Sequence, residues 1–447
     1  MFGGLSKAGW ATILVAGGLM LGTSVSAQAA DLGGDCCADL EERVAELEAT
    51  AAKKGNRKVS LKISGWVNEQ VLFWDDGHES NIYIGNNDQE RSRFKFSGNA
   101  KINGDLSAGY TLEIGVRTTR SSAYNQNNDE GATGLDIRKS SWFIKSKTYG
   151  TLTVGRDGSA TYHILDDANI TNTRYYADAE SLPTVGIAGF LVSTPSGTSS
   201  TVTWSSIMSR ASNNSPGNGE RPDIIRYNSP EFNGFTVVAA YGEDDMWDAA
   251  LVFEKEIGDF ELAFRVGYAE YTDENQNHCY GPNGTATGQK CREFGGSGTV
   301  WHKPTGLYVY GAYGQKQDDR DSALALPAAV EDEDKLYYVQ AGIEKKWFAL
   351  GSTSIFGTYR HDDVGTQNGS TISNVGLGLA GAHYVNGSEI NTWGGGVVQN
   401  ISAAAMDVYF IYQNVDGEFD AVNGAGVTTT VDLETFQLFQ AGARIQF

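Results

Sequence analysis

The residues of this 447-residue chain best suited to metal binding or nucleophilic attack are four cysteines and six histidines, and neither set is arranged for that work. The cysteines fall into two local pairs, Cys36 with Cys37 and Cys279 with Cys291. No C-x-x-C occurs, so redox catalysis and structural zinc are not expected. In an oxidising compartment Cys279 and Cys291 could staple a loop, whereas vicinal cysteines bridge each other poorly. The histidines (His78, His163, His278, His302, His361 and His383) are scattered, with no H-E-x-x-H and no pair at ligand spacing, so no metal site is expected. Gly376-Leu377-Gly378-Leu379-Ala380-Gly381 matches G-x-G-x-x-G, but no helix follows it and no βαβ unit surrounds it. With no G-x-S-x-G elbow either, neither an enzyme nor a cofactor is expected.

Charge is the patterned chemistry instead. Arg91, Arg93 and Lys95 recur at every second residue, and strand order places Arg117 and Arg156 near them. Asp157, Asp166, Asp167, Asp178 and Glu180 fall in a long polar interval, 157–222. Held on opposite sides of a wet passage, such rows would set up a transverse field that orients polar solutes and discourages apolar ones. The plainer possibility is that the arginines ladder with acidic neighbours and stiffen a wall. The net charge of -21 repels nucleic acid and implies a mild cation preference.

Two opposed rows need elements that hold them apart. The apolar stretch from Trp10 to about Val25 follows Lys7 and precedes Ala27-Gln28-Ala29-Ala30, the pattern of a signal peptide covering 1–30. In 31–57, Leu40, Val44, Leu47 and Ala51 form a short helical seam, suited to zipping chains together or to lying on a rim. From Lys58 the hydrophobic period becomes two and stays there. Phe94, Phe96, Gly98, Ala100 and Ile102 oppose Arg93, Lys95, Ser97, Asn99 and Lys101; Phe260, Leu262, Phe264, Val266 and Tyr268 oppose Glu261, Ala263, Arg265 and Gly267.

There are about sixteen such segments, an even number, and the gaps between them alternate short and long, with one tight exception near 243–246. This is the pattern of a transmembrane antiparallel β-barrel over 58–447, apolar outside and wet within. A sandwich or propeller would not need alternating loop lengths, and an open sheet in lipid would leave edge amides unsatisfied. The row Phe439, Ala441, Ala443, Ile445 and Phe447 supports closure and resembles an outer-membrane assembly signal. Trp66, Phe73, Trp74, Tyr110, Trp142, Tyr268, Tyr310, Tyr359 and Phe447 are expected in aromatic girdles or at contacts between barrels.

Four stretches then carry a family likeness across nearly the whole chain. They are Asp35-Cys36-Cys37-Ala38-Asp39-Leu40-Glu41-Glu42-Arg43-Val44-Ala45-Glu46-Leu47-Glu48, Ser64-Gly65-Trp66-Val67-Asn68-Glu69, Arg91-Ser92-Arg93-Phe94 and Leu152-Thr153-Val154-Gly155-Arg156. Together with Phe447 they resemble the general porins of alphaproteobacteria. The resemblance implies a homotrimer of sixteen-stranded barrels in outer-membrane lipid and lipopolysaccharide. It also implies a third long loop folded inward to constrict the passage, and passive diffusion of small hydrophilic solutes and ions. The alternatives are a channel selective for sugar or phosphate and a mainly structural surface barrel.

Overall fold

The computed structural model describes residues 58–130, 133–180, 184–208, 215–242, 245–272, 290–319, 326, 328–366 and 371–447. The expected leader (1–30), the helical segment (31–57) with Cys36 and Cys37, and Cys279 lie outside them. Among the described residues no helix is long and apolar enough to cross a membrane.

Strands dominate. They are β1 (Lys62–Asp75), β2 (Ser80–Asn86), β3 (Arg93–Lys101), β4 (Leu106–Arg117), β5 (Gly134–Ser146) and β6 (Gly150–Arg156), followed by a small hairpin, β7 (Leu191–Thr194) and β8 (Gly197–Thr203). Then come β9 (Asp223–Asn228), β10 (Phe235–Gly242), β11 (Trp247–Ile257), β12 (Phe260–Tyr271), β13 (Cys291–His302) and β14 (Leu307–Asp318). The series ends with β15 (Glu333–Phe348), β16 (Gly351–Val364), β17 (His383–Ile401), β18 (Met406–Asn423), β19 (Thr428–Asp432) and β20 (Phe436–Gln446). Two single-turn helices, α1 (Thr184–Ile187) and α2 (Trp204–Ile207), flank the small hairpin.

All strands except β7 and β8 belong to one antiparallel sheet of eighteen segments. β1 pairs with β2 at 69–75 and with β3 at 62–66, so those two segments are one stave interrupted at 87–92. β18 pairs with β19 and β20 in the same way, which leaves sixteen staves. The sheet closes where β1 meets β20, with Phe73 opposite Phe439 and Val67 opposite Ile445. Gly65 and Phe447 exchange reciprocal backbone hydrogen bonds of 2.9 and 3.0 Å at the end of this seam. The terminal row expected to face outward does so: Ala441, Ile445 and Phe447 are exposed, while Leu438, Gln440 and Arg444 are buried inside.

Local sequence explains the turns. Between β9 and β10, Asn233 and Gly234 both adopt positive φ (53° and 93°), the two-residue turn whose twist matches a hairpin. Phe232 and Phe235 close it with backbone bonds of 2.8 and 2.9 Å.

The described parts of the long interval 157–222 turn inward and pack on the wall in two places. One core joins Ile164, Leu165 and Ala179 of the loop to Tyr310, Leu336 and Tyr338 of the wall. A second joins Ile187, Phe190, Val192, Val202, Trp204 and Ile207 to Leu72, Trp74, Phe436 and Leu438. Alternation therefore fails as a guide to some aromatics. Trp74 and Tyr310 are buried under the loop rather than in a girdle, and Trp66 faces a cavity inside. Trp142, Tyr359 and Phe447 do face outward, each about half exposed.

Candidate functional site: a charged cavity between loop and wall

The loop is fixed by a row of hydrogen bonds from wall to backbone. Ser297 donates to the Ile164 carbonyl at 2.6 Å, Thr299 to Ala168 at 2.6 Å, Tyr338 to Ala177 at 3.0 Å and the Arg360 guanidinium to Ala179 at 2.8 Å. Tyr310 donates to Leu165 in the same series. A loop buried inside a barrel must satisfy its carbonyls, and these inward-facing residues of β13 to β16 do so. Further round, Tyr176 stacks on Tyr409 at 4.6 Å and donates to Asp407 at 2.7 Å, while the Arg444 guanidinium lies 3.9 Å over Tyr175.

The opposite wall, β3 to β5, carries charge instead. Arg93 pairs with Glu90 at 3.1 Å and Glu113 at 3.2 Å, and lies 4.4 Å over Trp66. Arg138 reaches the same Glu113 at 2.8 Å. Arg91 pairs with Asp88 at 3.1 Å and Asp136 at 3.2 Å, and Arg117 stands 3.6 Å from Asp136. A β-bulge makes this ladder possible. Glu113 pairs with Lys139 and Ile114 with Ile137, so Arg138 is an extra residue and both it and Lys139 turn inward.

Between loop and wall lies a cavity of about 200 Å³ lined by Arg91, Arg93 and Arg138 from the wall and by His163, Asp166, Arg174, Asp178 and Glu180 from the loop. Asp88, Gln89, Glu90, Trp66 and Tyr175 complete it. Of the residues the sequence nominated, Arg91, Arg93, Asp166, Asp178 and Glu180 thus meet. Asp157 stands at the loop's root, 2.9 Å from Lys139 and 3.7 Å from Arg226. Asp167 lies 2.5 Å from Arg265 and also pairs with Arg174. Lys95 faces inward without an ion pair among the described residues. Arg156 does not join the others: it is exposed on the same face of β6 as Leu152, outside the barrel.

The charges interleave more than the sequence suggests. The wall arginines Arg91, Arg93, Arg117 and Arg138 each have an acid beside them, and Asp157, Asp166, Asp167 and Glu180 of the loop have cations of their own, so the field is a mosaic rather than two opposed rows. Burial of the Asp166 carboxyl would raise its pKa, but the His163 imidazole and Arg174 hold it below the usual range. Asp157 is depressed in the same manner: burial is outweighed by Lys139 and Arg226. The histidines also depart from expectation. His163, Asp166 and Glu180 each bring one ligand-capable atom within 4.8 Å of the others, a grouping invisible in one dimension because Glu180 is remote in sequence from the other two. Cys291 is disulfide-bonded.

Comparison with known proteins decides the family. A Gram-negative porin family model matches residues 11–443. The chain belongs to the Gram-negative porins. Among solved structures, the anion-selective porin from Comamonas acidovorans shares 17% identity at a TM-score of 0.55, covering 87% of this chain and 100% of its own. OmpT, an outer membrane protein of Vibrio cholerae, has a TM-score of 0.50 at 13% identity, covering 89% of this chain and 100% of its own. Salmonella typhi OmpF in complex with daunomycin has the same score and identity, with 87% of this chain and 98% of that chain covered. At such identities the likeness shows the fold. No curated protein sequence matches the chain. This porin is therefore an outer-membrane diffusion channel, a multi-pass β-barrel.

Proposed function

We propose that residues 157–222 set the size limit of this porin and that the charged cavity is its narrowest, solute-sorting passage. The observation that carries the reading is the placement of Asp166, Asp178 and Glu180 across one cavity from Arg91, Arg93 and Arg138. Charges fixed in that geometry order the water between them, and an apolar solute must displace that water to pass. Because acids and bases nearly balance around the cavity, the ion preference expected from the acidic excess of the whole chain is mild and cationic.

Single-channel conductance of Arg93→Ala, and of Asp166→Asn combined with Asp167→Asn, tests the assignment. Conductance and reversal potential should shift; if both quantities stay unchanged in both variants, the assignment falls. Liposome swelling with sugars of graded size should slow smoothly with solute size, whereas saturation by one solute would mark a selective channel instead.

The finer placement among alphaproteobacterial general porins rests on the four stretches named above, and residues 1–30 act as an export signal. The working unit is a homotrimer in lipid and lipopolysaccharide, with residues 39–54 zipping the three chains. OmpT of Vibrio cholerae, similar in fold, is described in a trimer form. An unchanged oligomer after deletion of 39–54 would remove the zipper's role. Cys291 is expected to bridge Cys279, which a reducing-against-nonreducing peptide map would show.

A further inference from the structure

We propose that His163, Asp166 and Glu180 form a binding site for a divalent transition ion such as Zn²⁺ on the rim of the charged cavity. The inference goes beyond a diffusion pore, which needs no metal.

The ligand set is specific. The His163 Nδ1 stands 2.9 Å from Asp166 Oδ1 and 2.8 Å from Glu180 Oε2. One ring nitrogen thus faces two carboxylate oxygens, although a single N–H can donate well to only one acceptor at a time. A divalent ion serves all three atoms together. In a tetrahedral zinc site, bonds of about 2.1 Å place ligand atoms roughly 3.4 Å apart. The observed separations require these side chains to open by about half an ångström, which carboxylate rotation provides. Binding replaces the Nδ1 proton, where present, which leaves to solvent.

The surroundings suit such a site. Asp166 and Glu180 are 5% and 4% exposed, so little water competes for them from behind. The second oxygen of Asp166 lies 3.7 Å from Arg174 Nε, an outer contact that fixes the carboxylate's orientation. The three residues line the 200 Å³ cavity, which has room for the waters that complete the coordination sphere. An imidazole beside two carboxylates favours Zn²⁺, Ni²⁺ or Cu²⁺ over Ca²⁺ and Mg²⁺, which prefer all-oxygen shells.

The fold also supplies a clean variant. His163 has φ +60°, a left-handed conformation that asparagine tolerates well, so His163→Asn removes the imidazole while keeping the backbone. Glu180→Gln removes one carboxylate by an independent route. Both belong in a Cys36→Ser, Cys37→Ser background, because vicinal thiols would bind zinc themselves.

Titration calorimetry of the full refolded chain in detergent, with Zn²⁺ and with Ca²⁺ in 0.15 M salt, is the test. We expect one Zn²⁺ per chain, bound at least tenfold more weakly in His163→Asn and in Glu180→Gln, with Ca²⁺ at least tenfold weaker than Zn²⁺ in the parent. Absence of stoichiometric Zn²⁺ binding, or an unchanged affinity in both variants, overturns the site. Conductance with and without Zn²⁺ addresses the constriction reading separately. Binding that leaves the current unchanged would keep the metal site and remove the cavity from the narrowest point of the pore.

Discussion

The two halves of the inner wall of this porin solve different problems. Strands β13 to β16 lie under the inward loop and present hydroxyls, one guanidinium and tyrosine rings that meet backbone carbonyls and apolar loop residues. Strands β3 to β5 face the cavity and present a ladder in which Glu113 serves both Arg93 and Arg138. The covered half is held by many small, independent and mostly neutral terms. The bare half is held by a few strongly coupled charges. Losses on the first should add; losses on the second should not.

The bare half is most vulnerable at Glu113. Replacing it with alanine leaves two buried guanidiniums facing each other without their shared acid, at a cost of about 3–5 kcal/mol. Urea unfolding of the refolded barrel should show a destabilisation of that size, and a double variant with Arg138→Ala should recover part of it. A cost below that of a single neutral contact would show that the ladder is slack.

Asp157 tests the hinge between the two halves, because the loop departs the wall there. Asp157→Asn removes a charge-assisted contact with Lys139, worth about 2 kcal/mol, and should raise open-channel noise as the loop root loosens. The pH dependence has a definite sign. Since the folded pKa of Asp157 lies below its ordinary value near 3.8, its contribution is full above that value and fades as pH falls through the lower folded one. Acid should thus make the parent channel behave like the variant, while the variant's own noise stays flat over that range.

The covered half should give the smallest effects. Ser297→Ala and Thr299→Ala each remove one neutral hydrogen bond to the loop, at about 1 kcal/mol apiece, and the pair should sum to about 2 kcal/mol in urea unfolding. A large synergistic loss would mean that the loop detaches as a unit and that the covered half is as strongly coupled as the bare one.

The two halves of the wall were legible in one dimension to different degrees. Period-two alternation marked the staves and the outward row of β20 because lipid imposes a uniform demand on one face of every strand. It could not tell that Trp74 and Tyr310 point inward, since an amphipathic aromatic under a buried loop looks the same in sequence as one in a girdle. Arg138 and Lys139 were hidden for a different reason: strict alternation forbids neighbours from sharing a face, and only the bulge opposite Glu113 allows it. Arg156 misled because proximity in strand order says nothing about which side of the wall a residue occupies. The His163, Asp166 and Glu180 group depends on how a loop folds back on itself, and no periodicity encodes that.

Closure of the sheet by β1 and β20 has a kinetic consequence. Residues 66–75 find their partners only at 437–446, so an early stave waits with an unpaired edge until the last one exists. No ordering of local hairpins can shorten that wait, because the seam is the longest-range pairing in the sheet. A chain halted anywhere before residue 437 therefore carries two sticky edges into the periplasm, and its survival depends on what shields them in transit.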